Sequence, residues 1–212
     1  YVGGDGFFGN LIVENDQTFA LTDCNGSGNG KGIVTRDSGQ NGRGVYVAGG
    51  GVFYMYGGTI SGNTATMNSN DAGGGAIYMR GNGKINISGS AQITGNSSSL
   101  DGGAILMGWG EINISGSAKI NSNTASRWGG AICLCTDANK TSVLNMTGGE
   151  ISGNKANSEG GAVHLVDANC TFNLSDGKIT GNASGDGGAI YLNQEPSVLN
   201  MSGGKISGNT AT

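Results

Sequence analysis

The stretch "GGAIYL", residues 187–192, has close copies upstream: "GGAIYM" from Gly74, "GGAILM" from Gly102, "GGAICL" from Gly129, "GGAVHL" from Gly160 and a degenerate "GRGVYV" from Gly42. They recur at steps of 32, 28, 27, 31 and 27 residues. Aligning the copies on their glycine pairs brings two further patterns into phase. One is "INIS" at Ile85 and Ile112, "LNMT" at Leu144, "FNLS" at Phe172 and "LNMS" at Leu199. The other is an I-x-x-N motif starting at Ile60, Ile93, Ile120, Ile151, Ile179 and Ile206. Each segment alternates apolar and polar residues between clusters of Gly, Ser, Asn and Asp. A repeat therefore reads as three short strands and three turns, with no helix between them.

A period of 27–32 residues holding three strands predicts an all-β solenoid, a single-stranded parallel β-helix in which each repeat is one coil. Coils stack about 4.8 Å apart, so equivalent residues form ladders along the axis. The expected inward ladders are Val45, Ile77, Ile105, Ile132, Val163 and Ile190 on the first strand and Phe53, Ile85, Ile112, Leu144, Phe172 and Leu199 on the second. The whole chain, 1–212, reads as one domain: 1–41 as an irregular first coil or N-terminal cap, 42–212 as six repeat coils, the last uncapped. An uncapped coil leaves strand edges open, which predicts either that the native protein continues past Thr212 or that the chain dimerises there.

Composition narrows the classes. With 44 glycines and one proline the chain is no ordinary helical protein, and regularly spaced Leu, Ile and Val argue against disorder. A net charge of −4 without a basic patch argues against nucleic acid and anionic membranes as partners. No apolar run is long enough for a membrane span. The chain opens at Tyr1, which points to a segment of a longer protein.

Two asparagine columns accompany the strands. Asn63, Asn96, Asn123, Asn154, Asn182 and Asn209 are placed to hydrogen-bond from coil to coil, while Asn86, Asn113, Asn145, Asn173 and Asn200 read as a water-facing stripe. Together, the GGAI and I-x-G-N motifs resemble the GGAI and FxxN repeats of polymorphic outer-membrane adhesins. The stretch "LTDCNGSGNGKGIVT" from Leu21, with "GRGVYV" and "MYGGTISGNTA" after it, more closely resembles repeat regions of large adhesin-like surface proteins of gut-type anaerobic bacteria. The likeness runs from about Leu11 to Thr212. It implies a right-handed parallel β-helix of the pectate-lyase-like type and an extracellular or cell-surface location, and it transfers no catalytic residue, because that fold hosts lyases, hydrolases and passive adhesins alike.

Function must then come from the outward side chains. The repeat stops repeating at Tyr46, Tyr78, Leu106, Cys133, His164 and Tyr191 on the outer face of the first strand. Asp101, Trp128, Glu159 and Asp186 precede the glycine pairs, and Arg127 and Trp109 lie nearby. Exposed rings beside carboxylates and an arginine suit a polysaccharide or host-surface glycan, since rings stack on sugar faces while charged groups take hydroxyls. The bland alternative is that outward strand positions simply accept aromatics. Glu159 and Asp186, one coil apart, are the weak candidates for catalysis or for Ca²⁺; a non-enzyme with no cofactor is the favoured reading. Cys133, Cys135 and His164 form a weak metal candidate lacking a fourth ligand; free thiols, or a disulfide from Cys133 or Cys135 to Cys170, are the other readings. Cys24 lies far along the axis from these. The sequence thus reads as a glycan-binding adhesin domain, with a polysaccharide lyase or hydrolase and a passive stalk as alternatives. An ice-binding surface is disfavoured, since the outward third-strand column mixes Ser61, Thr94, Asn121, Ser152, Thr180 and Ser207.

Overall fold

The computed structural model describes residues 9–22, 32–35, 41–66, 73–136 and 139–212. Among them there is no helix, and the strands pair in parallel from one coil to the next as a β-solenoid. The first-strand column runs Val45, Ile77, Ile105, Ile132, Val163, Ile190 in unbroken register. The second runs Phe53, Ile85, Ile112, Leu144, Phe172, Leu199, and the third Ile60, Ile93, Ile120, Ile151, Ile179, Ile206. Upstream, Gly9–Val13, Thr18–Leu21 and Ile33–Thr35 pair in the same register with the coil that follows. From Val45 to Ile179 these inward columns are fully buried, and their side chains form one continuous core. Each such aliphatic side chain contributes about 1.5–3 kcal/mol by leaving water.

The structure adds a strand that the sequence reading did not contain. Thr64–Ala65, Ser97–Ser98, Thr124–Ala125, Lys155–Ala156, Ala183–Ser184 and Thr210–Ala211 stack as a separate narrow sheet after the third strand. Each is two residues long, too short to show a period.

Both asparagine columns are hydrogen-bonded ladders. In the first, Asn96 Nδ2 donates to Asn123 Oδ1 at 3.0 Å and to the Ile60 carbonyl at 3.0 Å, while its Oδ1 accepts from the Asn63 backbone N–H. Asn123 and Asn154 repeat the arrangement, which satisfies a corner that would otherwise bury unpaired backbone groups. The second column also hydrogen-bonds along its length, Asn113 to Asn86 at 3.0 Å and Asn145 to Asn113 at 2.9 Å. It is half-buried over much of its length and is more than a water-facing stripe.

The glycine pairs have two different jobs. The first of each pair has φ between 58 and 67°, and a Cβ on it would fall 2.1–2.6 Å from the carbonyl oxygen three residues on, as at Gly74 against Ile77. The chain therefore doubles back sharply. The second glycine packs against the next coil: a Cβ on Gly130 would lie 2.3 Å from the Gly161 carbonyl oxygen. The doubling back lays the residue before each pair across the outside of the first strand, where Trp128, Glu159 and Asp186 stack as a short parallel ladder of their own.

Candidate functional site

That turn overturns one expectation. Tyr46, Tyr78 and Leu106 are at most 8% exposed, and Cys133 and His164 are completely buried. The outer face of the first strand is thus a second, smaller core in which Tyr46, Tyr78, Leu106, Cys133 and Val166 pack with Trp128 and Cys135 at its edge. Alternation told the two faces of the strand apart but did not reveal that both are covered.

Exposure returns where the small core meets solvent. A cleft of about 430 Å³ is lined by Tyr78, Arg80, Asp101, Trp109, Arg127 and Trp128, with Leu106, Gly108, Cys135 and Thr136 completing its walls. Two coils supply its charged centre. Asp101 and Trp128 occupy equivalent positions before successive glycine pairs, so Arg127 arrives one coil from Asp101. Its Nε donates to Asp101 Oδ1 at 2.8 Å, and Nη2 donates to Oδ2 in a second, parallel bond. Asp101 is buried, and its hydrogen bonds hold the Arg127 guanidinium above its ordinary pKa. The same guanidinium lies 3.8 Å over the Trp128 ring, which fixes that indole. On the other wall Trp109 is half-buried, with the Lys140 ammonium 5.7 Å from its ring centre. Lys140, which the sequence reading did not reach, follows the left-handed Asn139 of a turn that recurs at Asn169 with Cys170 in the place of the lysine.

The remaining expected residues fall elsewhere. On the far side of Trp128, His164 packs edge-on against both Trp128 and Tyr191, each at 5.1 Å. Burial, with the Arg127 charge adding, pulls the His164 pKa down to about 4, so the ring is neutral near pH 7. Glu159 Oε2 stands 3.8 Å from His164 Nε2, too far for a hydrogen bond, and does not offset that burial. Five residues separate them in the chain, a neighbourhood that strand spacing alone did not show. Asp186 pairs with Glu159 through the backbone and is exposed, and Arg80 belongs to the cleft and not to these acids. Tyr46 contacts Tyr78 at 5.8 Å inside the small core.

Cys133, Cys135 and Cys170 are thiols. Cys170 sits in the inner core with its Sγ facing the Leu134 carbonyl, whereas Cys133 belongs to the outer core across the strand wall, and the alternative of a bridge from Cys133 or Cys135 to Cys170 is not formed. Cys24 lies outside the described residues. Among the described residues no group of three or more His, Cys, Asp and Glu side chains converges as a metal site, so Cys133, Cys135 and His164 do not make one.

Two larger troughs, about 510 and 600 Å³, run along the corners of the solenoid. One is walled by Gly116, Gly148, Gly149 and Gly177 with Lys119, Glu150 and Lys178, the other by Gly83 and Gly110 with the Lys84–Glu111 ion pair. Neither contains an aromatic side chain. The smaller cleft has two indoles, a fixed ion pair and a second arginine, and is the better binding site on chemical grounds.

Residues 57–80 and 117–134 match the Chlamydia polymorphic membrane protein repeat. Each match begins just before an I-x-x-N motif and ends on the first strand after a glycine pair, so it spans one corner of the solenoid with the doubled-back turn. The two matched segments are similar to that repeat and lie within a parallel β-solenoid. That repeat belongs to outer-membrane or surface proteins, which supports a cell-surface location in general terms. No curated protein and no solved structure matches the chain.

Proposed function

We propose that these repeats form a surface-displayed adhesin segment that binds carbohydrate in the cleft between Trp109 and Trp128. The observation that carries the reading is the combination of two indoles in one cleft with a rigid Asp101–Arg127 pair and Arg80. Indole faces offer stacking surface to the C–H face of a sugar ring, and the pinned guanidinium and carboxylate offer donors and an acceptor for its hydroxyls. Because Trp128 is held by Arg127 and His164, little ordering is needed on binding, which favours affinity.

The test is an array of plant, mucin and microbial glycans probed with the native chain and with Trp109→Ala. Binding to a defined glycan class, weakened at least about tenfold by the substitution, supports the cleft. No binding by the native chain moves the reading to a passive stalk that projects other parts of a surface protein.

A further inference from the structure

Cys133 and Cys135 flank Leu134 where the strand Ile132–Leu134 ends, and their Sγ atoms are 3.8 Å apart. Cys133 is completely buried in the outer core, whereas Cys135 is half-buried and lines the tryptophan cleft. One thiol is therefore reachable from solvent and its neighbour is enclosed behind it. Register places His164 beside Cys133 on the next coil. Its ring is completely buried, and neither ring nitrogen has a hydrogen-bond partner among the described residues.

We infer that Cys133 and Cys135 are a convertible dithiol, a thiol-oxidation site on the cleft wall that reacts with low-molecular-weight disulfides. The Cys135 thiolate attacks one sulfur of the small disulfide RSSR, forming a Cys135–SR mixed disulfide and releasing one thiolate. Cys133 gives its proton to the thiolate released in the first step and attacks Cys135 Sγ, expelling the second thiolate, which takes a proton from water. In sum, two protein thiols and RSSR give one protein disulfide and two RSH, with two electrons passing to the small disulfide. Closing the bridge shortens the sulfur separation from 3.8 Å to roughly 2 Å.

The order of attack follows from the surroundings. Burial pushes the Cys133 thiol well above the ordinary thiol range, and its contact with Cys135 adds to this, so Cys133 does not react first. Once Cys135 is capped its negative charge is gone, and that part of the upward push on Cys133 is relieved. Cys170 is shut out, because its sulfur is on the inner side of the wall.

The experiment incubates the folded chain with glutathione disulfide, quenches with iodoacetamide and maps peptides by mass spectrometry. The Cys133–Cys135 peptide is expected to lose two hydrogens, about 2 Da, and to resist alkylation, while Cys170 is alkylated only after unfolding. Cys133→Ser should stop at a glutathione adduct on Cys135; Cys133→Ala gives the same readout should the serine variant fail to fold. Full alkylation of both thiols after equilibration, a first adduct on Cys133, or a bridge from Cys135 to Cys24, Cys170 or a second chain would overturn the assignment.

Discussion

The wall made by the first strands is out of water on both sides, yet the two sides are closed differently. Inside, Ile77, Ile105, Ile132 and Val163 face other walls of the same solenoid, which repeat as they do. Outside, Tyr78, Leu106, Cys133 and His164 lie beneath a turn whose last residue changes from coil to coil: Gly73, Asp101, Trp128, Glu159. Cover and covered residue vary together there. A Cβ on Gly73 would come within 2.3 Å of Leu106 Cδ2, so the bulk of Leu106 is accommodated by the absence of a side chain above it. Where the cover is invariant the buried residue is set by shape alone; where the cover is a turn, chemistry can differ at each coil without disturbing the stack. The tryptophan cleft and the dithiol both lie at the second kind of position.

Four measurements would break or sharpen this contrast. The largest effect belongs to the inner face. Ile132→Ala should cost about 2–5 kcal/mol in urea denaturation, and Leu106→Ala on the outer face about 1–2 kcal/mol, because a turn can settle into the space where opposed walls cannot. Equal costs would mean that the turn is as rigid as the walls. Next, Asn123→Ala orphans a buried backbone N–H as well as losing its own bonds, and about 2–3 kcal/mol is expected; Asn113→Ala, in the half-buried ladder, should cost less than about 1 kcal/mol.

The third concerns acid. His164 is neutral when folded, with a pKa of about 4 against an ordinary 6.5, so below pH 6.5 the unfolded chain takes up a proton that the folded chain refuses. Stability should fall as the pH drops from about 6.5 and level off near 4, by on the order of 3 kcal/mol. The wild-type loss over that window should exceed that of His164→Phe, as read by denaturation at matched pH; parallel curves would show that the ring is not protected from protons. The smallest effect on stability is expected from Trp109→Ala, below about 1 kcal/mol, since this half-buried indole serves the cleft more than the core. A stability loss comparable to that of Ile132→Ala would recast it as a packing residue.

Much of this was legible in the sequence, and the limits have physical reasons. Repetition exposed the inward columns, the buried asparagine corner and the register that sets Cys133 beside His164. The Asp101–Arg127 pair was within reach too, because equivalent positions one coil apart must be neighbours. Burial of the outer column was not: period-2 alternation reports which side a residue faces, whereas its cover depends on the path of a glycine turn. The closeness of Glu159 and His164 escaped for the same reason. The second asparagine ladder was missed because a half-exposed amide column has the same pattern whether it bonds to water or to itself.

The two ladders also differ in direction. In the buried column each side-chain amide donates one N–H to the asparagine of the following coil and another to a carbonyl of the preceding one, Asn96 to Asn123 and to Ile60, while in the half-buried column each donates toward the preceding coil, Asn145 to Asn113 to Asn86. A buried asparagine therefore clasps three successive coils where a half-buried one joins two, and that corner is a continuous seam along the stack.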